Sequence, residues 1–367
     1  MAETAEIDAL YRVALGHYDR DESGRAATML GEVLRRAPGH IEAAFKLGNL
    51  RKDAGRFDDA VRLYEGILSR EPGYAEARNN LGAVLQVQGA FDKAEACYRE
   101  AIKSKPGLAQ PRLNLGRLLQ ELGRDADAAA AYRNATDNGH DVEVFGHLLA
   151  AAEGRSHSRA PDAYVRETFD TFASSFDEWL VNELDYRVPT RLAALVRERA
   201  GARLFDVLDL GCGTGLCGVA LAGNIASLTG VDLSPEMLDE SRKRGLYGRL
   251  ELAEIGAWLK GTPDAAFDLV LAADVFIYSG DIGAVFAGVA RSLREGGLFA
   301  FSVETCTGAD WRLLPAGRYA QSSDYLQRLA DSHGLRVLQT EPSVIRKGIA
   351  GEIWLLERGA AVRRALP

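Results

Sequence analysis

The sequence predicts an α plus α/β protein: an N-terminal solenoid of helical repeats, then a doubly wound sheet that ends in an antiparallel hairpin. Three observations predict it. Glycine, alanine, tyrosine and proline recur at a 34-residue step through the first half. From Phe205 onward, short apolar runs alternate with helical patterns, the mark of a parallel sheet with helices on both faces. The last two apolar runs are joined too tightly for a crossover helix, so they pair antiparallel at the sheet edge.

Length and composition agree. A chain of 367 residues exceeds what one core usually reaches, which favours two domains. With 47% hydrophobic and 26% charged residues, no long stretch reads as disordered. The formal charge of −8 argues against nucleic acid as the main partner, because phosphate binding wants a basic face. Cys97, Cys212, Cys217 and Cys306 are scattered without a CxxC pair, so they read as reduced small hydrophobes, with no metal site and no disulfide framework. The N-terminus lacks a basic segment followed by an apolar run, and no stretch of about 18 apolar residues exists. The expectation is a soluble, cytoplasmic protein without a membrane segment.

The repeats come first. Gly48, Gly82 and Gly116 share the register of Gly55, Gly89 and Gly123, of Ala60, Ala94 and Ala128, of Tyr64, Tyr98 and Tyr132, and of Pro38, Pro72 and Pro106. Each unit is a helix, a glycine turn, a second helix and a terminating proline. Small residues at Gly48 and Ala60 let paired helices approach closely, with Leu47, Tyr64 and Leu68 between them. The pattern resembles tetratricopeptide (TPR) repeats over about residues 8 to 141. A first unit, about Ile7 to His40, is degraded, with Asp21 where the turn glycine would stand. Stacked units leave a concave groove, and Phe45, Asn49, Asn79, Gln86, Leu113 and Arg117 are expected to line it. The lysine–asparagine pattern with which some TPR grooves clamp a C-terminal carboxylate is not reproduced, since Phe45 occupies the lysine position. The groove's expected role is peptide or protein binding, self-association or scaffolding.

After Asp141, VEVFGHLLAAA reads as a capping helix. The polar segment Glu153 to Pro161 reads as a linker, and its His157 as a solvated linker residue. The expected boundaries are 1–152 for the repeat domain, 153–161 for the linker and 162–367 for the second domain. Within the second, residues 162–200 carry Phe169, Phe172, Phe176, Leu180, Leu184 and Tyr186 at three- and four-residue steps, one apolar helix face.

In the second domain the strands are FDVLDL, SLTGVDL, RLELAE, FDLVLAADV and GGLFAFSVE, with helices such as PEMLDESRKRG and IGAVFAGVARSLREG between them. The runs LRVLQTEPSVIR and GEIWLLER form the closing hairpin. The central motif is Asp209-Leu-Gly211-Cys212-Gly213-Thr-Gly215. A dinucleotide fingerprint needs glycine at the sixth position of the loop, where Leu216 stands. Seventeen residues beyond Gly215, Asp232 ends the second strand and can accept both hydroxyls of a ribose, whether of NAD or of another nucleoside.

The acid followed by GxGxG, together with the closing hairpin, resembles the Rossmann-like class I methyltransferases that use S-adenosylmethionine (SAM). Nearly the whole chain resembles bacterial methyltransferases with TPR repeats ahead of the catalytic domain. The CGTG, VD-x-SPxML and GLY segments are also similar to animal methyltransferase-like proteins. The resemblance implies SAM as cofactor, held by Asp209, Gly211, Cys212, Gly213, Gly215 and Leu216 of the loop and by Asp232 on the ribose. Leu233 and Met237 would lie on the adenine face, though Met237 reads equally as helix core. Glu254 would accept from the adenine amino group, with Ile255 over the ring. Asp274 and Val275 would face the methionine end, and the helical segment with Phe169 would form a lid. Candidate catalytic residues are Asp274, Tyr278, Glu304, Arg318 and Tyr319, with Arg318 suited to an anionic acceptor or to a surface ion pair.

In the bacterial group the segment Gly317-Arg318-Tyr319-Ala320-Gln321-Ser322 carries histidine at the fifth place, so Gln321 removes one potential base. Asn-Pro-Pro-Tyr and Pro-Cys motifs are absent, which argues against nucleobase and glutamine-amide chemistry. The expectation is methyl transfer to an oxygen or nitrogen of a small molecule. Two alternatives remain: a polypeptide acceptor held by the TPR groove, or a TPR interaction protein that only senses SAM.

Overall fold

The computed structural model describes residues 2–20, 22–170, 186–346 and 348–359. Asp21, Phe172, Phe176, Leu180 and Leu184, singled out above, lie outside the described residues. The chain divides into two compact units, Met1–Leu149 and Ala150–Pro367.

The first unit is built of antiparallel helix pairs: α1 (Ala2–Tyr18) with α2 (Ser23–Arg36), α3 (Ile41–Asp53) with α4 (Phe57–Arg70), α5 (Ala75–Val87) with α6 (Phe91–Ser104), and α7 (Gln110–Glu121) with α8 (Asp125–Asp137). The sequence register has a direct steric cause. A Cβ on Gly48, Gly82 or Gly116 would stand 2.8, 2.8 and 2.1 Å from the rings of Tyr64, Tyr98 and Tyr132, all fully buried. Only glycine lets each tyrosine lie flat on the partner helix. Gly55, Gly89 and Gly123, at φ of +68°, +75° and +70°, make the left-handed turns inside the pairs.

Several of the expected groove residues also bond within the repeats. Asn79 and Leu113 are buried. Asn49 Oδ1 accepts from Tyr64 Oη at 2.8 Å and from Asn80 Nδ2 at 2.9 Å, and Asn79 Oδ1 accepts from Asn114 Nδ2 at 2.9 Å. Gln86 accepts from Tyr98 Oη at 2.9 Å and donates to Glu121 at 2.7 Å. These amides tie one repeat to the next, because a buried amide must find partners. Arg117 is exposed, as expected of a groove residue. The helix α9 (Val142–Ala152) brings Phe145 to 6.3 Å from the Tyr132 ring.

The second unit holds a seven-stranded sheet of order β3-β2-β1-β4-β5-β9-β8: β1 (Phe205–Leu210), β2 (Ile225–Asp232), β3 (Arg249–Leu252), β4 (Phe267–Ala272), β5 (Leu293–Glu304), β8 (Leu335–Arg346) and β9 (Ile349–Arg358). The first five are parallel; β9 runs antiparallel to β5 and β8. The closing hairpin is therefore at the edge, and Pro342 is tolerated in β8 because that strand pairs on one side only. Alternate residues of each strand enter two cores. Leu208, Val270, Phe299 and Phe301 meet Phe276, Phe286 and Trp354 on one face; Val207, Leu269 and Ala300 meet Leu192 and Val196 on the other.

The helices are α10 (Asp162–Asp170), α11 (Val188–Ala200), α12 (Leu216–Ala220), α13 (Pro235–Lys243), α14 (Ile255–Gly261), α15 (Gly283–Ser292) and α16 (Ser323–Ser332), with a 3₁₀ turn at Phe276–Tyr278. The sequence reading differs in two places. It extended α15 through Leu293–Gly296, which the structure gives to β5, and it missed the small hairpin β6 (Trp311–Leu313) and β7 (Tyr319–Gln321). The segment read as a linker is partly docked: Ser158 O accepts from Gly280 N at 2.8 Å, and Ala160 N donates to Tyr278 O at 2.9 Å. Its His157 is half-buried, with its ring edge-on to Tyr319 at 6.3 Å, and is not a solvated residue.

Candidate active site

The C-terminal ends of parallel strands leave a crevice wherever neighbouring connections diverge. Here β1, β2 and β4 open onto a cleft of about 1120 Å³, counting the space at its mouth. Its floor is the loop after β1. The three glycines of that loop have different reasons to be glycine. Gly211 sits at φ +62°, where a Cβ would meet Val275 Cγ2 at 2.6 Å. Gly215, at φ +90°, has Tyr247, Ser241 and Arg244 within 3.1 Å of that position. Gly213, at φ +53°, has no atom of the described residues within 4 Å of that position.

Asp232 closes β2 beside the loop, where its Oδ2 accepts from Gly213 N at 2.8 Å and its Oδ1 from Ser234 N at 2.9 Å. Ser234 then caps α13 through Met237 N at 3.1 Å. Glu254 caps α14, accepting from Gly256 N at 2.9 Å and Ala257 N at 2.6 Å, and pairs with Arg159 at 3.2 Å. Asp209, 1% exposed, accepts from Tyr247 Oη at 2.6 Å, and its buried Oδ1 has no hydrogen-bond partner among the described residues. Burial pushes its carboxyl up to about 7, opposed by the Tyr247 bond and reinforced by the charge of Asp232.

The far end of the cleft is built after β4. Asp274 holds a left-handed backbone, φ +60°, with its N–H donating to Ser302 Oγ at 2.8 Å. A non-glycine residue in that region costs of order 1–3 kcal/mol, and such strain gathers at functional sites. Its carboxylate meets Arg346 Nη2 at 3.3 Å; the same nitrogen reaches Glu304 Oε1 at 2.9 Å, and Arg318 Nε reaches that oxygen at 2.7 Å. Burial raises Asp274 to about 6; Arg346 pulls it down and Glu304 pushes it up. Aromatic rings close this end, with Phe169 edge-on to Tyr278 at 5.5 Å and Tyr164 at 6.4 Å from Tyr278.

Of the residues named from sequence, Phe169, Gly211, Cys212, Gly213, Leu216, Asp232, Leu233, Met237, Glu254, Ile255, Asp274, Val275 and Tyr278 line this one cleft. Asp209 and Gly215 lie behind its floor. Glu304 and Arg318 reach it only through Arg346, and Tyr319 is turned away, its hydroxyl donating to the His157 carbonyl at 2.6 Å. Gln321 is fully buried, donating to the Phe276 and Ser279 carbonyls at 3.1 and 2.7 Å. That position holds the 3₁₀ turn and does not face the cleft.

The sequence reading missed Arg159 and Arg346, and it took Tyr186 only as part of an apolar helix face; Tyr186 and Arg159 line the cleft. Arg346 ends a strand before a glycine turn, where most arginines are solvated, so no local signal marked it. It also missed Gly218, whose absent Cβ keeps α12 against Leu228, 2.9 Å from that position, the close packing Leu216 had seemed to forbid.

Two family models and several curated relatives match parts of this chain. Residues 207–297 match the family model described as "Methyltransferase domain", and residues 45–109 and 84–143 match that described as "Tetratricopeptide repeat". The ubiquinone biosynthesis O-methyltransferase of Xylella fastidiosa (strain M23) is 30% identical over 194 residues, covering 47% of this chain and 77% of that protein. Human methyltransferase-like protein 27 is 38% identical over 107 residues, covering 28% of this chain and 43% of that protein. Among solved structures, Burkholderia thailandensis 1,6-didemethyltoxoflavin-N1-methyltransferase aligns at 20% identity and a TM-score of 0.44, covering 56% of this chain and 93% of that one. The chain belongs to the class I SAM-dependent methyltransferases, with tetratricopeptide repeats ahead of its methyltransferase domain.

Proposed function

We propose that the cleft binds SAM across the glycine loop and that the protein transfers its methyl group to an oxygen or nitrogen of a small-molecule acceptor. The observation that carries this is Gly213, whose missing Cβ leaves space that none of the described residues fills, on the cleft floor between two glycines that packing explains, with Asp232 at its side and Asp274 in the same cleft. The buried Oδ1 of Asp209, without a partner among the described residues, fits a cationic ligand above it.

When bound, SAM supplies a methyl group on a sulfonium already activated toward nucleophiles. The residues do the rest. A carboxylate offers about four lone-pair sites, so Asp232 can hold the loop and ribose hydroxyls together. Leu233, Met237 and Ile255 provide an apolar wall for the adenine, with Glu254 at its edge. Asp274 is the proposed base: it lines the cleft, and its raised pKa suits proton removal from a hydroxyl or amine near neutral pH. Phe169 and Tyr278 orient the acceptor, and orientation alone can supply about 7–11 kcal/mol.

The arginines at this end do not favour an anionic acceptor. Arg318 and Arg346 are both held by Glu304, and Arg159 pairs with Asp162 and Glu254. An uncharged protic group meets Asp274 without displacing those pairs, so Arg318 and Glu304 act as supports for Arg346. The TPR unit is proposed as a scaffold or recognition arm, because Asn49, Asn79 and Gln86 already bond within it. Calorimetry with SAM, paired with a labelled-methyl screen over metabolite and peptide pools, tests the assignment. Asp232→Ala is expected to weaken SAM at least about tenfold, since each charge-assisted bond contributes about 1.5–3 kcal/mol; full affinity in that variant refutes the site.

A further inference from the structure

Tyr247, between α13 and β3, belongs to the Gly-Leu-Tyr segment noted in the sequence, and nothing in the proposed reaction uses it. Its ring fills a slot left open by three glycines. A Cβ on Gly215, Gly218 or Gly230 would stand 2.9, 3.2 and 2.9 Å from its atoms. Its hydroxyl donates to Asp209 Oδ2 at 2.6 Å. Two neighbours grip the same loop: Ser241 Oγ donates to Gly213 O at 2.7 Å, and Arg244 Nε to Thr214 O at 2.5 Å. The segment thus braces the glycine loop from behind.

We propose that Tyr247 is a positioning residue for the cofactor, holding Asp209 and the glycine loop in the geometry that receives SAM without touching it. The proposal rests on the reading that the cleft binds SAM. The physical link is charge. SAM carries one net positive charge, and a buried carboxylate beneath the loop attracts it strongly at low local dielectric. The Tyr247 hydroxyl stabilises the ionised form of that carboxylate. The other titratable groups facing Asp209 are Asp232, Cys212, Cys217 and Tyr186; Asp232 opposes its ionisation, and burial holds the two thiols and the phenol neutral.

Burial brings the Asp209 carboxyl to about 7, so it gains a proton below that value. Binding a cation favours its ionised form, so SAM affinity falls as pH drops through that value. The test is calorimetry of SAM and of S-adenosylhomocysteine with full-length wild type and Tyr247→Phe, from about pH 5.5 to about 9. Phenylalanine keeps the ring in the slot, and a thermal melt confirms the fold. Tyr247→Phe is expected to bind SAM about tenfold more weakly near neutral pH, with the midpoint moved up by about one unit. S-adenosylhomocysteine, lacking the sulfonium charge, is expected to show a shallower pH dependence, and Asp209→Asn a nearly flat one for SAM. An unmoved midpoint in Tyr247→Phe overturns the proposal, whether affinity is unchanged or uniformly lowered. Wild type that binds neither ligand at any pH overturns the cofactor reading itself.

Discussion

Alanine at Gly211 and alanine at Gly213 are the same substitution two residues apart, yet the structure assigns them opposite consequences. Both positions are left-handed, at φ +62° and +53°, so each costs an L-residue about 1–2 kcal/mol of backbone strain. At Gly211 the methyl also meets Val275 Cγ2 at 2.6 Å and Cγ1 at 3.2 Å, an overpacking that adds about 1–3 kcal/mol. At Gly213 it meets none of the described residues within 4 Å and stands where a ligand would come. Gly211→Ala is therefore expected to lose about 2–5 kcal/mol of stability, and Gly213→Ala little beyond the strain but most of its SAM affinity. Urea unfolding followed by tryptophan fluorescence reads the relevant unit alone, because Trp179, Trp258, Trp311 and Trp354 all lie in the second half. Calorimetry reads the binding. Equal destabilisation by both variants, with SAM affinity intact in Gly213→Ala, would refute the reasoning.

Other expectations follow from the same geometry. Asp274→Asn is expected to abolish turnover while leaving SAM affinity within about twofold, and wild-type turnover should rise through about pH 6, since the raised carboxyl is protonated and inert below it; a pH–rate profile flat across that range removes Asp274 as the base. Arg346→Met removes the cation that lowers the Asp274 pKa, so the acid limb should move up by about one unit, with Glu304 still held by Arg318. In the repeat unit, Gly116→Ala drives a methyl into the buried Tyr132 ring, 2.1 Å away, and is expected to cost about 1–3 kcal/mol. Gly66→Ala, on an exposed turn of α4 with nothing nearby, should stabilise by about 0.5–1 kcal/mol. Far-UV circular dichroism melts distinguish the two signs.

What the sequence made legible was whatever repeats or punctuates. The 34-residue register is visible because a glycine faces a tyrosine in three successive units, and the proposed cofactor half because the loop glycines, Asp232 and Glu254 sit at strand ends where the chain turns. The acceptor half was less legible. Asp274 and Tyr278 were found, but Tyr319 turned away to bond a backbone carbonyl, and Glu304 and Arg318 reach the cleft only through another side chain. Arg346 was invisible because its partners lie 42 and 72 residues away, joined only by sheet order. The inter-repeat amide bonds were illegible for a related reason: nothing local distinguishes an amide that meets only solvent from one that bonds to the next repeat.

The cleft is also divided along the chain. Its floor and the proposed nucleoside wall come from residues 211–255, whereas the proposed acceptor end combines Phe169, ahead of them in the chain, with Asp274 and Tyr278 after β4, and Arg346, Glu304 and Arg318 stand behind Asp274. Mutational drift or exchange of the later segments can therefore redirect acceptor preference while the earlier ones stay fixed. For directed evolution this defines two libraries: diversifying Phe169 and the positions after 270 explores new acceptors on the proposed methyl-donor platform of residues 211–255.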